Sequence, residues 1–263
     1  MVAALCAERV GLRVDAEKVY LLENRLAPVA RREGFGAIVD LLQAVRDRGD
    51  ERLAWAVVEA MAPTETSFFR DAPTLDLAVT QALDDLARRP EGQTLRIWVA
   101  ACGGGQEVYS VAMLLDELAP AGATIELCAS DLSERRLEKA RSGAFSQFEV
   151  QRGLPARRLV RHFEKLDDSF VLTARIRQMV RWRRVNLMED LSPLGPFDLV
   201  FCRNVLGGLL EAARTRVLAS LGDILAPGGC LVLSPQDAAP NLTASAGRAG
   251  IYRAEAGRRA AAA

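Results

Sequence analysis

Two rhythms of apolar residues divide the chain. Through residue 62 the rhythm is helical: Val19, Leu22, Leu26 and Val29, then Ile38, Leu41, Leu42 and Val45, then Leu53, Val57, Val58 and Met61 recur at three- and four-residue steps. That spacing lines up one face of a helix, and it predicts a small helical bundle. Pro28 is expected to bend or divide the second helix, because it removes an amide donor and clashes with the carbonyl one turn back. Gly34 and Gly36 are expected to end that helix, since glycine accepts positive φ.

From Leu95 the pattern becomes short apolar runs, LRIWVAA (95–101), IELCAS (125–130), FDLVFC (197–202) and CLVLS (230–234), separated by segments long enough for helices. Continuous apolar strands alternating with helices predict a parallel sheet covered on both faces, a doubly wound α/β domain. The stretch 146–184, with SFVLTARIRQMVRWRRV, breaks the alternation and shows a two-residue period; it reads as a small antiparallel β insertion. The expected organisation is a helical domain with linker over 1–72, an α/β domain over 73–255 and a disordered tail over 256–263.

Composition narrows the chemistry. Half of the 263 residues are apolar, enough for a sizeable core. Lysine plus arginine balances aspartate plus glutamate at 34 each, so no global field holds the protein on nucleic acid or an anionic membrane. No apolar run approaches the roughly 20 residues that span a bilayer, and the start of the chain has no lysine- or arginine-led signal sequence; a cytoplasmic monomer is expected. The five cysteines show no close pairing and read as small core residues of a reducing compartment. The single histidine, His162, argues against a histidine-rich zinc centre and against a histidine triad.

The candidate site lies where the first strand of the α/β domain runs into ACGGGQE, Ala101 to Glu107. Successive glycines allow a sharp turn and close approach of the backbone to a ligand, at the carboxyl ends of the strands where such sheets bind ligands. A plain tight turn is the competing reading. Asp131, at the end of the second strand, is placed to accept hydrogen bonds from both ribose hydroxyls; capping of the helix beginning at Leu132 is its alternative. Together the two features favour an adenosine ligand, without choosing between a nicotinamide and a sulfonium.

These residues resemble the chemotaxis-receptor glutamate methyltransferases, the CheR family. TETSFFRD is similar to its Asn-Glu-Thr-x-Phe-Phe-Arg signature, and RIWVAACGGGQEVYSVAMLL, ASDLSERRLEKARSGAF, VNLMED, GPFDLVFCRNVL and LAPGGCLVL follow in the family's order. The resemblance implies a Rossmann-like class I S-adenosylmethionine-dependent methyltransferase domain with an N-terminal helical domain and a small antiparallel β insertion. It implies cofactor contacts at Thr64, Thr66, Arg70, Ala101, Gly103, Glu107, Asp131, Asn186, Leu187, Asn204 and Val205, with Asn186 and Leu187 by the adenine and Asn204 near the methionine moiety. The implied reaction transfers a methyl group to receptor glutamates, giving γ-methyl esters and S-adenosylhomocysteine. A glutamate with pKa about 4.3 is already ionised at neutral pH, so its carboxylate needs no general base. Arg70 is the candidate catalytic residue, a planar fork for orienting a carboxylate.

The implied partners are the cytoplasmic helices of methyl-accepting receptors, which are acidic in this family; Lys18, Arg25, Arg31 and Arg32 are the candidate basic docking face. A solvated helix face is the competing reading of that pattern. Thr64, Gln106, Gly208 and Ser234–Asp237 depart from the family pattern, and the short β insertion lacks the glycine-rich loop of members that dock a receptor's tail peptide. The alternative function is a cofactor-binding regulatory or docking module with little catalysis.

Overall fold

The computed structural model describes residues 1–15, 19–63, 65–245 and 250–255; the expected tail over 256–263 lies outside them. The chain divides into two compact units, Met1–Pro63 with Gly207–Val217, and Thr64–Leu206 with Leu218–Ala263.

The first unit holds helices α1 (Val2–Val10), α2 (Val19–Arg32), α3 (Ile38–Arg48) and α4 (Glu51–Met61). Leu26, Val29, Leu41, Leu53, Val57, Val58 and Met61 are buried as their spacing requires, whereas Val19 is 56% exposed. Gly11 and Gly49 end α1 and α3 in the left-handed conformation, and the Asp50 carboxylate caps α4 by accepting from the Leu53 amide at 3.1 Å. The expected division of α2 at Pro28 does not occur: the helix runs unbroken to Arg32. The lost amide is one rung of the ladder, and burial of Leu26, Val29 and Ala30 on both sides of the proline keeps the flanking turns in register. The amide of Arg13 donates to the Gly208 carbonyl and that of Leu210 to the Gly11 carbonyl, both at 2.8 Å, which ties the 207–217 segment to the turn after α1.

The second unit begins its regular structure with α5 (Ala72–Ala87), then β1 (Thr94–Val99), α6 (Gln106–Leu118), β2 (Thr124–Asp131), α7 (Glu134–Ser142), β3 (Ala144–Ser146), α8 (Gln147–Gln151), α9 (Ala156–His162), β4 (Phe163–Leu166), β5 (Ser169–Leu172), α10 (Ala174–Gln178), β6 (Val180–Arg184) and β7 (Phe197–Phe201). After α11 (Glu211–Asp223) come β8 (Leu225–Val232), β9 (Thr243–Ala244) and β10 (Ile251–Arg253). Among the described residues the large sheet has seven strands in the order β6-β2-β1-β7-β8-β10-β9. The pairs β6–β2, β2–β1, β1–β7 and β7–β8 are parallel; β8–β10 and β10–β9 are antiparallel. Strand order therefore reverses between β1 and β7, and the carboxyl ends of these two strands flank the crevice that such a reversal creates. No helix of the described residues is long and apolar enough to cross a membrane.

The stretch read as one antiparallel insertion over 146–184 divides differently. β3, β5 and β4 form a three-stranded antiparallel sheet, Ala174–Gln178 is helical, and β6 joins the large sheet in parallel with β2. An edge strand covered on one face shows a two-residue period whichever way it pairs: Arg181 and Arg183 are exposed, while the Trp182 ring meets Tyr109 at 5.7 Å. The segment expected as a linker up to residue 72 also packs within the second unit, because Phe68 and Phe69 are 0% and 6% exposed in its core. Phe68 makes edge contacts with Phe145 at 4.9 Å and Phe163 at 5.8 Å, which joins the segment to the small sheet; burying such a ring contributes about 2–3 kcal/mol.

Gly153 makes this packing possible. It has φ of +90°, and a Cβ there would lie 2.1 Å from the Phe68 carbonyl oxygen. Gly153→Ala is expected to destabilise the protein by about 2 kcal/mol or more through backbone strain and displacement of Phe68, read as a lowered midpoint in thermal or urea unfolding; an unchanged midpoint contradicts the packing described.

Candidate active site

The glycine turn after β1 is drawn tight by its neighbours. Ala101 has φ of +51°, Gly103 of +58° and Gly105 of +93°. A Cβ on Gly105 would lie 2.9 Å from the Ala140 Cβ and 3.4 Å from its Cα, so the turn at that position passes through space that no side chain can share, while one on Gly104 would meet only the movable Gln106 Oε1 at 2.9 Å. The amide of Cys102 donates to the Ser130 carbonyl and that of Gly105 to the Cys102 carbonyl, at 2.8 and 3.1 Å.

Asp131, 3% exposed, ends β2 beside this turn. Its Oδ2 accepts from the Gly103 amide at 2.9 Å and its Oδ1 from the Ser133 amide at 3.0 Å. The capping alternative is corrected here: α7 begins at Glu134 with Ser133 as its N-cap residue, and Asp131 instead ties the glycine turn to the strand end. Each carboxylate oxygen retains acceptor capacity beyond its one amide, which suits a pair of vicinal hydroxyls.

The Phe68–Asp71 turn packs beside α6. Phe69 and Asp71 have φ of +46° and +52°, both costly for residues with a Cβ, and Arg70 stands exposed between them. Three groups hold the turn. The Phe69 amide donates to Ser110 Oγ at 2.9 Å, the Arg158 guanidinium stacks 4.2 Å from the Phe69 ring centre, and Arg203 Nη2 donates to the Arg70 carbonyl at 2.9 Å. Arg158 is itself fixed by two-pronged pairing with Glu117, which also meets His162 Nε2 at 3.2 Å; these partners hold the Glu117 carboxyl down at about 2. His162, 3% exposed, thus has a structural role.

Arg203 also donates to Glu107 Oε2 at 3.0 Å and lies 3.8 Å from Asp71. Burial raises the Glu107 carboxyl above its ordinary value, while Arg203 and Arg70 pull it back down. Thr66 comes within 3.6 Å of where a Gly103 Cβ would stand, so Thr66, Arg70, Ala101, Gly103, Glu107 and Asp131 converge on one turn system. Asn186 Oδ1 accepts from the Met188 amide at 3.1 Å, and the Asp131 carbonyl accepts from the Val185 amide at 3.1 Å, which places Asn186 and half-buried Leu187 just beyond β6, on the Asp131 side. Asn204, φ of +59°, and Val205 follow β7. Thr64 lies outside the described residues.

Sequence reasoning missed Arg203 and Ser110, and named Ser234 only as part of a departure from the family pattern. Arg203 carried a signal, an arginine inside the apolar run FDLVFCRNVL, where a charge must find partners. Both ends of the Ser234–Asp237 segment are engaged in the structure. The Ser234 hydroxyl accepts from the Asn204 amide at 2.7 Å, and the Asp237 carbonyl accepts from the Tyr252 hydroxyl at 3.0 Å. Gln106 is 4% exposed, and its Oε1 has no hydrogen-bond partner among the described residues. All five cysteines are buried and unbridged, and burial pushes the Cys202 thiol up to about 12, which leaves it without nucleophilic character at neutral pH.

The strand order and the turn after β1 define a class I S-adenosylmethionine-dependent methyltransferase fold. Residues 64–249 match the family model described as CheR methyltransferase, SAM binding domain. The chain is 35% identical over 239 residues to chemotaxis protein methyltransferase 1 of Pseudomonas aeruginosa, covering 88% of this chain and 86% of the relative. It is 32% identical to a chemotaxis protein methyltransferase of Pseudomonas putida over 87% of this chain and 85% of the relative, and 32% identical to that of Escherichia coli over 88% and 80%. This chain belongs to the CheR family of S-adenosylmethionine-dependent methyltransferases.

The residues fit that cofactor: a run of three glycines for close approach, a buried carboxylate, Asp131, that accepts one amide on each oxygen with Arg136 at 3.8 Å and could take hydroxyls, and a second carboxylate, Glu107, that could take an ammonium group. Asp131→Asn cannot accept from both the Gly103 and Ser133 amides, because its amide nitrogen is a donor. It is expected to weaken S-adenosylhomocysteine binding about 10- to 100-fold, the worth of one charged hydrogen bond of 1.5–3 kcal/mol. Calorimetry checks this, and wild-type affinity in the variant contradicts it.

Proposed function

We propose that this enzyme esterifies glutamate side chains on the cytoplasmic helices of chemotaxis receptors. The observation that carries this reading is the similarity, over 88% of the chain, to a protein named chemotaxis protein methyltransferase 1. The site chemistry agrees with it. A glutamate nucleophile is ionised at neutral pH, so no general base is needed, and neither histidine nor a low-pKa thiol lies in the site. S-adenosylmethionine, when bound, supplies an electrophilic methyl group on a sulfonium.

In this reading Asp131 takes the ribose hydroxyls, Glu107 the methionine ammonium, and Asn186 and Leu187 border the adenine, with Thr64, Thr66, Ala101, Gly103, Asn204 and Val205 completing the pocket. Arg70, exposed on its strained turn, grips and orients a carboxylate. Alignment of two bound reactants can remove on the order of 7–11 kcal/mol from the barrier. The enzyme works in the cytoplasm, where receptor helices are accessible.

The basic face of α2 is the docking surface for those acidic helices in the same reading, though its charges differ in availability. Arg31 is exposed, Arg32 pairs with Glu33 at 2.9 Å, and Arg25 donates to the Met61 carbonyl. Lys18 lies outside the described residues. Arg31 is therefore the member placed to steer a partner.

The test is transfer of labelled methyl from S-adenosylmethionine to receptor cytoplasmic fragments, with release by mild base as the mark of an ester. Labelled, base-labile product is expected from the wild type, and Arg70→Ala is expected to lose transfer by at least about a hundredfold, the scale of removing an aligning charge. Tight cofactor binding with no labelled product on any receptor fragment overturns the enzyme reading in favour of a docking module, and full activity of Arg70→Ala refutes its assigned role.

A further inference from the structure

One buried charge in the α/β unit is not absorbed by the reaction described above. Arg203 follows β7, its side chain is 2% exposed, and its guanidinium is shared among elements distant in sequence: Glu107 on α6, and the Arg70 carbonyl and Asp71 carboxylate of the strained turn. Its Nε has no hydrogen-bond partner among the described residues. A fully buried guanidinium is costly, and leaving one donor unmatched adds to the cost. The cysteines near Glu107, Cys102 and Cys202, are neutral thiols whose pKa burial raises, so they add no negative charge to the cluster.

We propose that Arg203 is the positioning residue of the cofactor site: one buried fork holds the Glu107 carboxylate to receive the cofactor's ammonium group and pins the Arg70 backbone so that its side chain is presented from a strained turn. This rests on the reading of the site as an S-adenosylmethionine pocket. Two features of the geometry carry it. Phe69 and Asp71 both have positive φ, and such residues persist only where surrounding bonds over-determine them; Arg203 donates to the one residue between them. Glu107 is half-buried, with Arg203 as the donor bonded to its carboxylate and Arg70 as the second cation in reach.

The pH dependence follows from the groups around Glu107: Arg203 after β7, itself 3.8 Å from Asp71, Arg70 of the turn, and the neutral thiols of Cys102 and Cys202, the latter also near Asp237. Burial raises the Glu107 carboxyl and the arginines lower it. Without Arg203 its pKa rises further, so the acid protonates at higher pH and loses its attraction for an ammonium group as pH falls.

The experiment is calorimetric binding of S-adenosylhomocysteine to the full chain between about pH 6 and pH 8, for wild type, Arg203→Met and Arg203→Lys. The methionine variant is expected to bind at least about tenfold more weakly, one pKa unit of lost carboxylate stabilisation, with a loss that deepens toward acid. The lysine variant keeps a charge for Glu107 and is expected to restore the wild-type pH profile without the full affinity, since one ammonium cannot reproduce the fork to Glu107 and the Arg70 carbonyl. Wild-type affinity and profile in Arg203→Met overturn the proposal. Should circular dichroism show that variant unfolded, Arg203→Lys decides: a partial loss of affinity supports the proposal and wild-type behaviour overturns it. A wild type that binds no S-adenosylhomocysteine overturns the cofactor reading and this proposal with it. A wild type that binds but methylates no receptor fragment removes only the receptor assignment.

Discussion

A guanidinium buried at the carboxyl end of β7 is the constraint around which the site is arranged. Arg203 reaches the first turn of α6 through Glu107 and the strained turn through the Arg70 carbonyl. These segments are separated by as much as 133 positions along the chain, and the reversal of strand order between β1 and β7 is what brings them to one crevice. Taking the charge out of water is favourable only if each neighbour supplies its share of hydrogen bonds, so the pairing constrains Glu107 and Arg70 together.

The remaining contacts extend that constraint in two directions. Toward the sheet, Asp131 spends one lone pair on the Gly103 amide, which fixes the glycine turn against β2 and leaves the carboxylate able to take hydroxyls. Toward the small sheet, Phe68 packs on Phe145 and Phe163, and Arg158 stacks on Phe69 while gripping Glu117. The exposed Arg70 is therefore carried by a backbone that cannot relax, although its side chain faces solvent. A reaction whose nucleophile arrives ionised depends chiefly on such alignment.

The doubly wound architecture was legible because buried parallel strands read as unbroken apolar runs and the helices between them keep a 3.6-residue rhythm. β6 was not, since VRWRR is half exposed and its alternation is the same for a parallel edge strand and an antiparallel hairpin. α2 passes through Pro28 because packing overrides the loss of one ladder bond. At the site, the glycines and Asp131 were readable from their positions at strand ends. Ser110, Ser234 and Arg203 were not, because their roles are hydrogen bonds across 41, 30 and 96 positions that no local pattern encodes. The Ser234–Asp237 segment illustrates the point: the Ser234 hydroxyl accepts from the amide of Asn204, which is in a left-handed conformation.

The claim that Arg203 acts through Glu107 is tested most directly by a double-mutant cycle on S-adenosylhomocysteine affinity with Arg203→Met, Glu107→Gln and the pair. If the two residues form one unit, the second substitution adds little to the first, and the coupling energy is on the order of 1–3 kcal/mol. Strictly additive losses, with a coupling within about 0.3–0.5 kcal/mol of zero, would show that the two residues act independently and would contradict the account.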